Sequence, residues 1–310
     1  MFTDHGRCAM RVSMIAIVLI AGNGCVSRQR GASFPNHDHS ILLPATAGIP
    51  ERTGGNTPAH SSRSREHEGG HHDTLHFSHP LIGESPSPDT KVRLDYFFRD
   101  MDDAGQKSQQ HTVRLEMEYA FHRSFSIEVD VPYVALDPEG QSSETNLGSI
   151  GIGLKFANFA FEEHNLLLGY GIEFGLPTGD DSKGIGSNNI FEIEPFLSIG
   201  YKWHDLEIVA FAEFGIPTNQ GPGEEVETEL GSTVSLLYPF MPRLRGLLEL
   251  DGETVLSGDE SGETKINITP GIKLRPFDER SFEIGLGASF PLSTHKEFDF
   301  QVLLSLFYHF

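Results

Sequence analysis

Past residue 88 the sequence settles into a two-residue beat and keeps it to the end. Apolar side chains fall at Val92, Leu94, Tyr96 and Phe98, then at Val113, Leu115, Met117, Tyr119 and Phe121. The beat returns at Leu206, Ile208, Ala210, Ala212, Phe214 and Ile216, and at Phe282, Ile284, Leu286, Ala288 and Phe290. It closes on Phe298, Phe300, Val302, Leu304, Leu306, Tyr308 and Phe310. A period of two marks a strand with one face in an apolar medium. Strands are predicted at 90–100, 110–122, 125–135, 147–160, 165–176, 189–203, 205–217, 227–239, 243–256, 264–275, 281–292 and 297–310. Each is near or above the ~9–11 residues that a tilted membrane-crossing strand needs.

The connections alternate as well. Tight turns such as "FHRSF", "FEEHNL", "WHDL", "PFMPRL" and "PFDERS" take turns with longer polar loops such as "LDPEGQSSETN", "LPTGDDSKGIGSNN" and "LSGDESGET". Short turns at one end and long loops at the other is the asymmetry of an outer-membrane barrel. The predicted fold is therefore all-β: a single antiparallel transmembrane β-barrel of about 12 strands over residues 89–310, preceded by a disordered His-rich segment. An even strand count returns both ends to the periplasm. Closure is forced, because an open edge would leave N–H and C=O groups in hydrocarbon. A soluble β-sandwich would also alternate, but its outward face should be polar.

Bulk properties narrow the alternatives. The 310 residues carry a formal charge of −21, which argues against nucleic acid as a partner. No apolar run of helical membrane-spanning length exists beyond the extreme amino-terminus. The two cysteines, Cys8 and Cys25, leave no disulfide framework for the rest of the chain.

The amino-terminus reads as an export address. Arg11 precedes an apolar run from Val12 to Ala21, followed by small residues and Cys25. Residues 1–26 are expected to be a signal peptide, with Cys25 a candidate for lipidation. Residues 27–88 are rich in Gly, Ser, Pro, Arg and His and show no periodicity, so a disordered periplasmic segment is expected. Its core, "HEGGHHDTLHFSH", offers His67, His71, His72, His76 and His79 as candidate ligands for zinc, copper or nickel. No cofactor is required by this reading. A pH-sensitive tether and plain compositional bias compete with it.

If the aromatic parity meets lipid, the opposite parity lines the lumen. The early strands then place Arg93, Arg114, Glu116, Glu118, Glu128, Asp130 and Lys155 inside. The middle strands add Glu173, Glu192, Glu194 and Glu213, and the late ones Arg245, Glu249, Asp251, Lys273 and Glu283. Acids outnumber bases on this face, which favours cations or amines in any passage. Twelve strands lie between barrels filled by side chains and barrels that hold a channel. Gly151, Gly153, Gly169, Gly171, Gly285 and Gly287 on the lumenal parity are expected to leave space for a passage.

Three stretches carry a family likeness: "NLGSIGIGLKF" at Asn146–Phe156, "EFGLPTGDD" at Glu173–Asp181 and "EFGIPTN" at Glu213–Asn219. They resemble the repeated strand-and-loop pieces of a bacterial family of outer-membrane β-barrel transporters named for the meta-pathway of phenol degradation. Members usually carry Asp where Ser149 stands. The resemblance implies a barrel of this size and uptake or export of small molecules, and brings no catalytic residues with it. The spacing of Leu306, Tyr308 and Phe310 also resembles the signal read by the barrel assembly machinery, the expected partner beside lipid and a small solute or metal ion.

Enzymatic chemistry finds little support. There is no Gly-x-Ser-x-Gly elbow and no phosphate loop. "DMDDAG" at Asp100–Gly105 fails as a calcium loop because His111 stands where a bidentate Glu is needed. The leading expectation is an outer-membrane channel or transporter for small solutes, linked to metal handling. The alternatives are a filled barrel anchoring a metal-binding periplasmic tail, and an outer-membrane hydrolase.

Overall fold

The computed structural model describes residues 75–310 except 104, 219–226, 259 and 278–280. The expected signal peptide, Cys25, and His67, His71 and His72 lie outside the described residues.

Among the described residues, thirteen strands form one antiparallel sheet. In chain order they are β1 (Lys91–Asp103), β2 (Gln106–His122), β3 (Phe125–Pro138), β4 (Glu144–Leu147), β5 (Ile150–Phe161), β6 (Leu166–Leu176) and β7 (Glu192–Trp203). Then follow β8 (Leu206–Pro217), β9 (Glu229–Met241), β10 (Leu244–Val255), β11 (Thr264–Leu274), β12 (Phe282–Pro291) and β13 (Phe300–His309). Apart from β4, each strand pairs with its neighbours in sequence, and β13 returns to pair with β1 from Lys91↔His309 to Asp100↔Phe300. Twelve strands close the barrel; β4 is a short addition that pairs with β3 alone, in the loop between β3 and β5. The closed ring leaves no edge, the condition that a bilayer imposes.

One end of the barrel has tight turns, two residues between β7 and β8 and again between β9 and β10. The left-handed backbone of His204, at φ 54°, makes the first of these. The other end carries the long connections, among them 177–191 and 218–228. Within the expected loop at 101–109, residues 101–103 and 106–109 are instead strand, because β1 and β2 stay paired out to Asp103↔Gln106. Polar alternation beyond the lipid costs a hairpin nothing, so the strands run on into water.

The outward parity is apolar. Leu94, Met117, Leu197, Phe214, Leu236, Leu286 and Leu304 are all more than a third exposed. Soluble monomers rarely show so continuous an apolar face. Aromatic rings gather near the short turns. Phe121, Phe125, Phe156 and Tyr170 follow one another around the wall at centroid spacings of 5.8, 4.9 and 5.6 Å. Trp203, Phe240 and Phe310 stand exposed at the same level. Such a girdle suits the membrane–water interface. Phe298 departs from its expected outward place: it precedes β13, folds back over the lumen and is 4% exposed.

Candidate functional site

The short-turn half of the lumen is filled by the chain itself. Residues 75–90 enter beside β7, rise to Ile82 and Gly83, and return to join β1. The two arms are tied together: Phe77 N–H donates to Ser87 Oγ at 2.8 Å, and Ser85 Oγ donates to the Phe77 carbonyl at 3.1 Å. Phe77 and Leu81 are fully buried against Ala157, Leu167, Val209, Leu237, Leu247, Leu303 and Phe307. Burying two such side chains stabilises docking by about 1.5–3 kcal/mol each. Residues 75–88, part of the segment expected to be disordered, are thus packed inside the barrel. No periodicity marks them because they contact strands from every side.

Glycine and glutamate in the wall make this possible. A Cβ at Gly200 would lie 2.6 Å from the Phe77 ring, and one at Gly285 would lie 2.4 Å from Leu81. Gly169, Gly285 and Gly287, with Gly200, therefore seat the segment, while Gly151, Gly153 and Gly171 face residues of the wall itself. Glu249 sits across the barrel at 0% exposure and receives the tip. It accepts N–H bonds from Leu81 at 3.0 Å and Ile82 at 3.1 Å, and a hydroxyl bond from Ser235 at 2.7 Å. Ser78 N–H donates to Glu207 at 2.9 Å, and Lys273 Nζ donates to the His79 carbonyl at 2.9 Å. Arg93 donates to the Leu81 carbonyl and Arg245 to Ser78 Oγ.

Around the segment, one wall is an ion-pair lattice. Lys91 Nζ lies 2.6 Å from both Glu116 and Glu118. Lys155 reaches Glu84 at 2.8 Å, Glu118 at 3.2 Å and Glu128 at 3.6 Å. Asp95 joins Arg93 at 2.9 Å and Arg114 at 2.7 Å, while Arg114 also lies 3.7 Å from Asp130. On the late strands Glu283 pairs with Lys273 at 2.7 Å and Arg275 at 2.5 Å. These groups sit where charge is expensive unless paired.

Nearer the long loops the wall changes character. Glu173 of β6 and Glu194 of β7 stand directly opposite each other across the strand pair. With Glu192, Glu213 and Glu229 they make an inward acidic belt on which no lysine or arginine forms an ion pair among the described residues. Beside the belt lies a cavity of about 330 Å³. Ile82 forms its floor, Phe97, Phe211 and Phe298 its apolar sides, and Glu213, Asp251, Glu253, Arg99 and Lys265 its charged ones.

In the segment before β1, burial pushes the His79 imidazole down to about 4, and the Lys91 charge adds to the effect. Burial alone would raise the Asp89 carboxyl, but the imidazoles of His309, His76 and His79 around it hold it far below the usual range.

All sixteen inward side chains named from the sequence project into the lumen, in three settings. Arg93, Arg114, Glu116, Glu118, Glu128, Asp130 and Lys155 form the ion-pair lattice. Arg245, Glu249, Lys273 and Glu283 hold the inserted segment or support the groups that do. Glu173, Glu192, Glu194, Glu213 and Asp251 border the open half. His76 and His79 meet at the short-turn mouth, apart from the cavity. Leu306, Tyr308 and Phe310 end the outward face of β13 and the chain beyond it. Sequence reasoning missed the inserted segment, Asp89, His309 and Phe298. The only signal was the run of buriable residues Phe77, Leu81 and Ile82 in polar surroundings.

A family model described as "Putative MetA-pathway of phenol degradation" matches residues 113–306. Among solved structures, an outer membrane channel of Pseudomonas putida F1 is similar with a TM-score of 0.59 at 13% identity. The likeness covers 76% of this chain and 100% of that one. The KdgM porin matches with a TM-score of 0.46 at 12% identity, over 70% of this chain and 99% of the porin. The translocator domain of the autotransporter NalP from Neisseria meningitidis gives 0.42 at 10% identity, over 72% and 88%. None of the curated proteins matches the chain in sequence. At these identities the structural likenesses speak for the barrel fold.

Proposed function

The chain belongs to the family described as "Putative MetA-pathway of phenol degradation", and from that premise and the shape of its lumen we propose an outer-membrane channel for small solutes, selective for cationic or amphiphilic ones. The short turns then face the periplasm and the long loops the exterior. The observation that carries this reading is the division of the lumen. An outer vestibule of about 330 Å³, where Glu213, Asp251, Glu253 and Glu297 outnumber Arg99, Arg114 and Lys265 beside three phenylalanines and the acidic belt, stops at a floor made by Ile82. A vestibule of that composition attracts positive charge and shelters apolar groups, and the inserted segment acts as its gate.

The filled inner half favours a second reading, a closed barrel that anchors the residues before 75 in the periplasm. Planar-bilayer conductance separates the two. The channel reading expects small, cation-preferring steps from the full chain in a salt gradient. It also expects larger steps once Glu249→Ala loosens the tip of the segment. Silence from both proteins refutes it and leaves the anchor.

A further inference from the structure

The vestibule above Ile82 has an acidic pole and a basic pole, and strand pairing sets them apart. Glu213 of β8 stands level with Gly231 of β9, and Gly231 with Glu253 of β10. One row nearer the floor come Phe211, Thr233, Asp251 and Asn267 of β8, β9, β10 and β11. Lys265 takes Glu253 at 2.7 Å. Glu213 forms neither a hydrogen bond nor an ion pair among the described residues. Asp251 Oδ2 accepts from Asn267 Nδ2 at 2.7 Å, but Asp251 Oδ1 is buried with no hydrogen-bond partner among them. Native structures seldom leave such an oxygen without a ligand, a water or a role. The basic pole is Arg99 of β1, the strand opposite β8, six steps away in either direction round the closed ring. Its Nε donates to Gln301 Oε1 at 2.6 Å, and its Nη1 reaches Glu297 only at 3.4 Å. The guanidinium lies over Phe298, 5.4 Å from the ring centroid. Arg114 is held by Asp95 at 2.7 Å, and Lys265 is shared between Glu253 and Glu297.

We propose that the vestibule binds a short zwitterionic peptide of dipeptide size that carries an apolar side chain. From β8 round to β1 its wall offers carboxylates at Glu213 and Asp251, amides at Asn267 and Gln301, and a guanidinium at Arg99. A dipeptide presents the complementary order of ammonium, amide and carboxylate. Its ammonium brings three donors to Glu213 and Asp251 Oδ1, its peptide N–H donates to Asn267 Oδ1, and its carboxylate accepts from Arg99. The apolar side chain is covered by Phe97, Phe211 and Ile82. Poles on opposite walls call for charges separated by a chain rather than carried on one carbon. A cavity of about 330 Å³ sits at the low end of the ~300–1,000 Å³ of ligand pockets, which suits two residues and excludes a long peptide. A bare ion fits less well. Among the described residues only Glu84, Glu116 and Glu128 bring three ligand atoms within 4.8 Å of one another, and none of them lines the vestibule. The proposal rests on the channel reading and narrows its solute class, since the vestibule is that channel's entrance, but binding is measured apart from conduction.

Calorimetric titration of glycyl-phenylalanine into the full-length protein in detergent at neutral pH tests it, beside two single-charge counterparts. The C-terminal amide keeps only the ammonium, and the N-acetyl derivative only the carboxylate. The expected result is one dipeptide bound per chain, with each counterpart at least about tenfold weaker. Glu213→Gln combined with Asp251→Asn should bring the dipeptide down to the affinity of its N-acetyl derivative. Arg99→Gln should bring it down to that of its amide. If a variant does not fold, the three wild-type affinities decide by themselves. Absence of saturable dipeptide binding overturns the site. So does a counterpart that binds as tightly as the dipeptide, because one pole then plays no part, and so do variants that weaken all three ligands alike. Dipeptide binding beside a silent bilayer refutes the channel and keeps the site, while conductance without binding removes the site and leaves the channel.

Discussion

On β1, β2, β3 and β5 the inward carboxylates Asp95, Glu116, Glu118, Glu128 and Asp130 each meet a lysine or arginine. On β6 to β9, a few strands away on the same inner surface, Glu173, Glu192, Glu194, Glu213 and Glu229 form no such pair among the described residues. Residue type and parity are the same on both stretches; what differs is what fills the space in front of them. The first wall faces the inserted segment, where water is displaced and a lone charge is costly. The second faces the outer half, where a cavity of about 330 Å³ leaves room for water and carboxylates can stay unpaired at modest cost. Paired acids there serve architecture. In the proposed channel, unpaired acids set the field that a solute meets.

Removing one cation from the paired wall should have the largest effect. Lys91→Met leaves Glu116 and Glu118 buried without it, and a loss of about 3–5 kcal/mol is expected. Urea unfolding of the lipid-embedded barrel, followed through the single tryptophan Trp203, measures it. A loss below 1 kcal/mol, on the order of a surface pair, would erase the distinction between the walls. Glu249 is the intermediate case, since its partners are backbone N–H groups and a hydroxyl. Glu249→Ala strands those donors, so a loss of about 1–3 kcal/mol is expected, together with larger conductance steps. Wild-type conductance in that variant would mean that the segment is held by packing alone. The smallest stability effect belongs to the acidic belt. Glu194→Gln removes the like-charge opposition to Glu173, which should raise stability by about 0.2–1 kcal/mol. In the same variant the reversal potential in a salt gradient should move toward zero, and an unchanged potential would detach the belt from selectivity.

Much of the fold was legible in the residues because a barrel strand sees two media. Alternation in β2, β8 and β12 reports lipid on one side and interior on the other, so strand positions and inward charges follow from the pattern. The two walls were not distinguishable in that way. Glu116 and Glu194 look alike in sequence, and only the position of residues 75–90 separates their surroundings. Those residues touch strands all round the barrel, β1, β6 and β12 among them, through an irregular backbone, which leaves no period to read. The mouth cluster was invisible for a related reason, since Asp89 and His309 lie 220 positions apart. Phe298 misled the pattern because its parity runs into a loop that turns inward.

By itself the sequence determined the strands, their outward face and the sign of the charge inside, since local alternation against a bilayer admits few other arrangements. Tertiary structure alone decided which half of the lumen is full, which carboxylates find cations, and which histidines meet. Those outcomes depend on where a pattern-free segment docks among strands distant in the chain, and docking is settled by shape: glycines that yield to Phe77 and Leu81, and a glutamate that takes the tip.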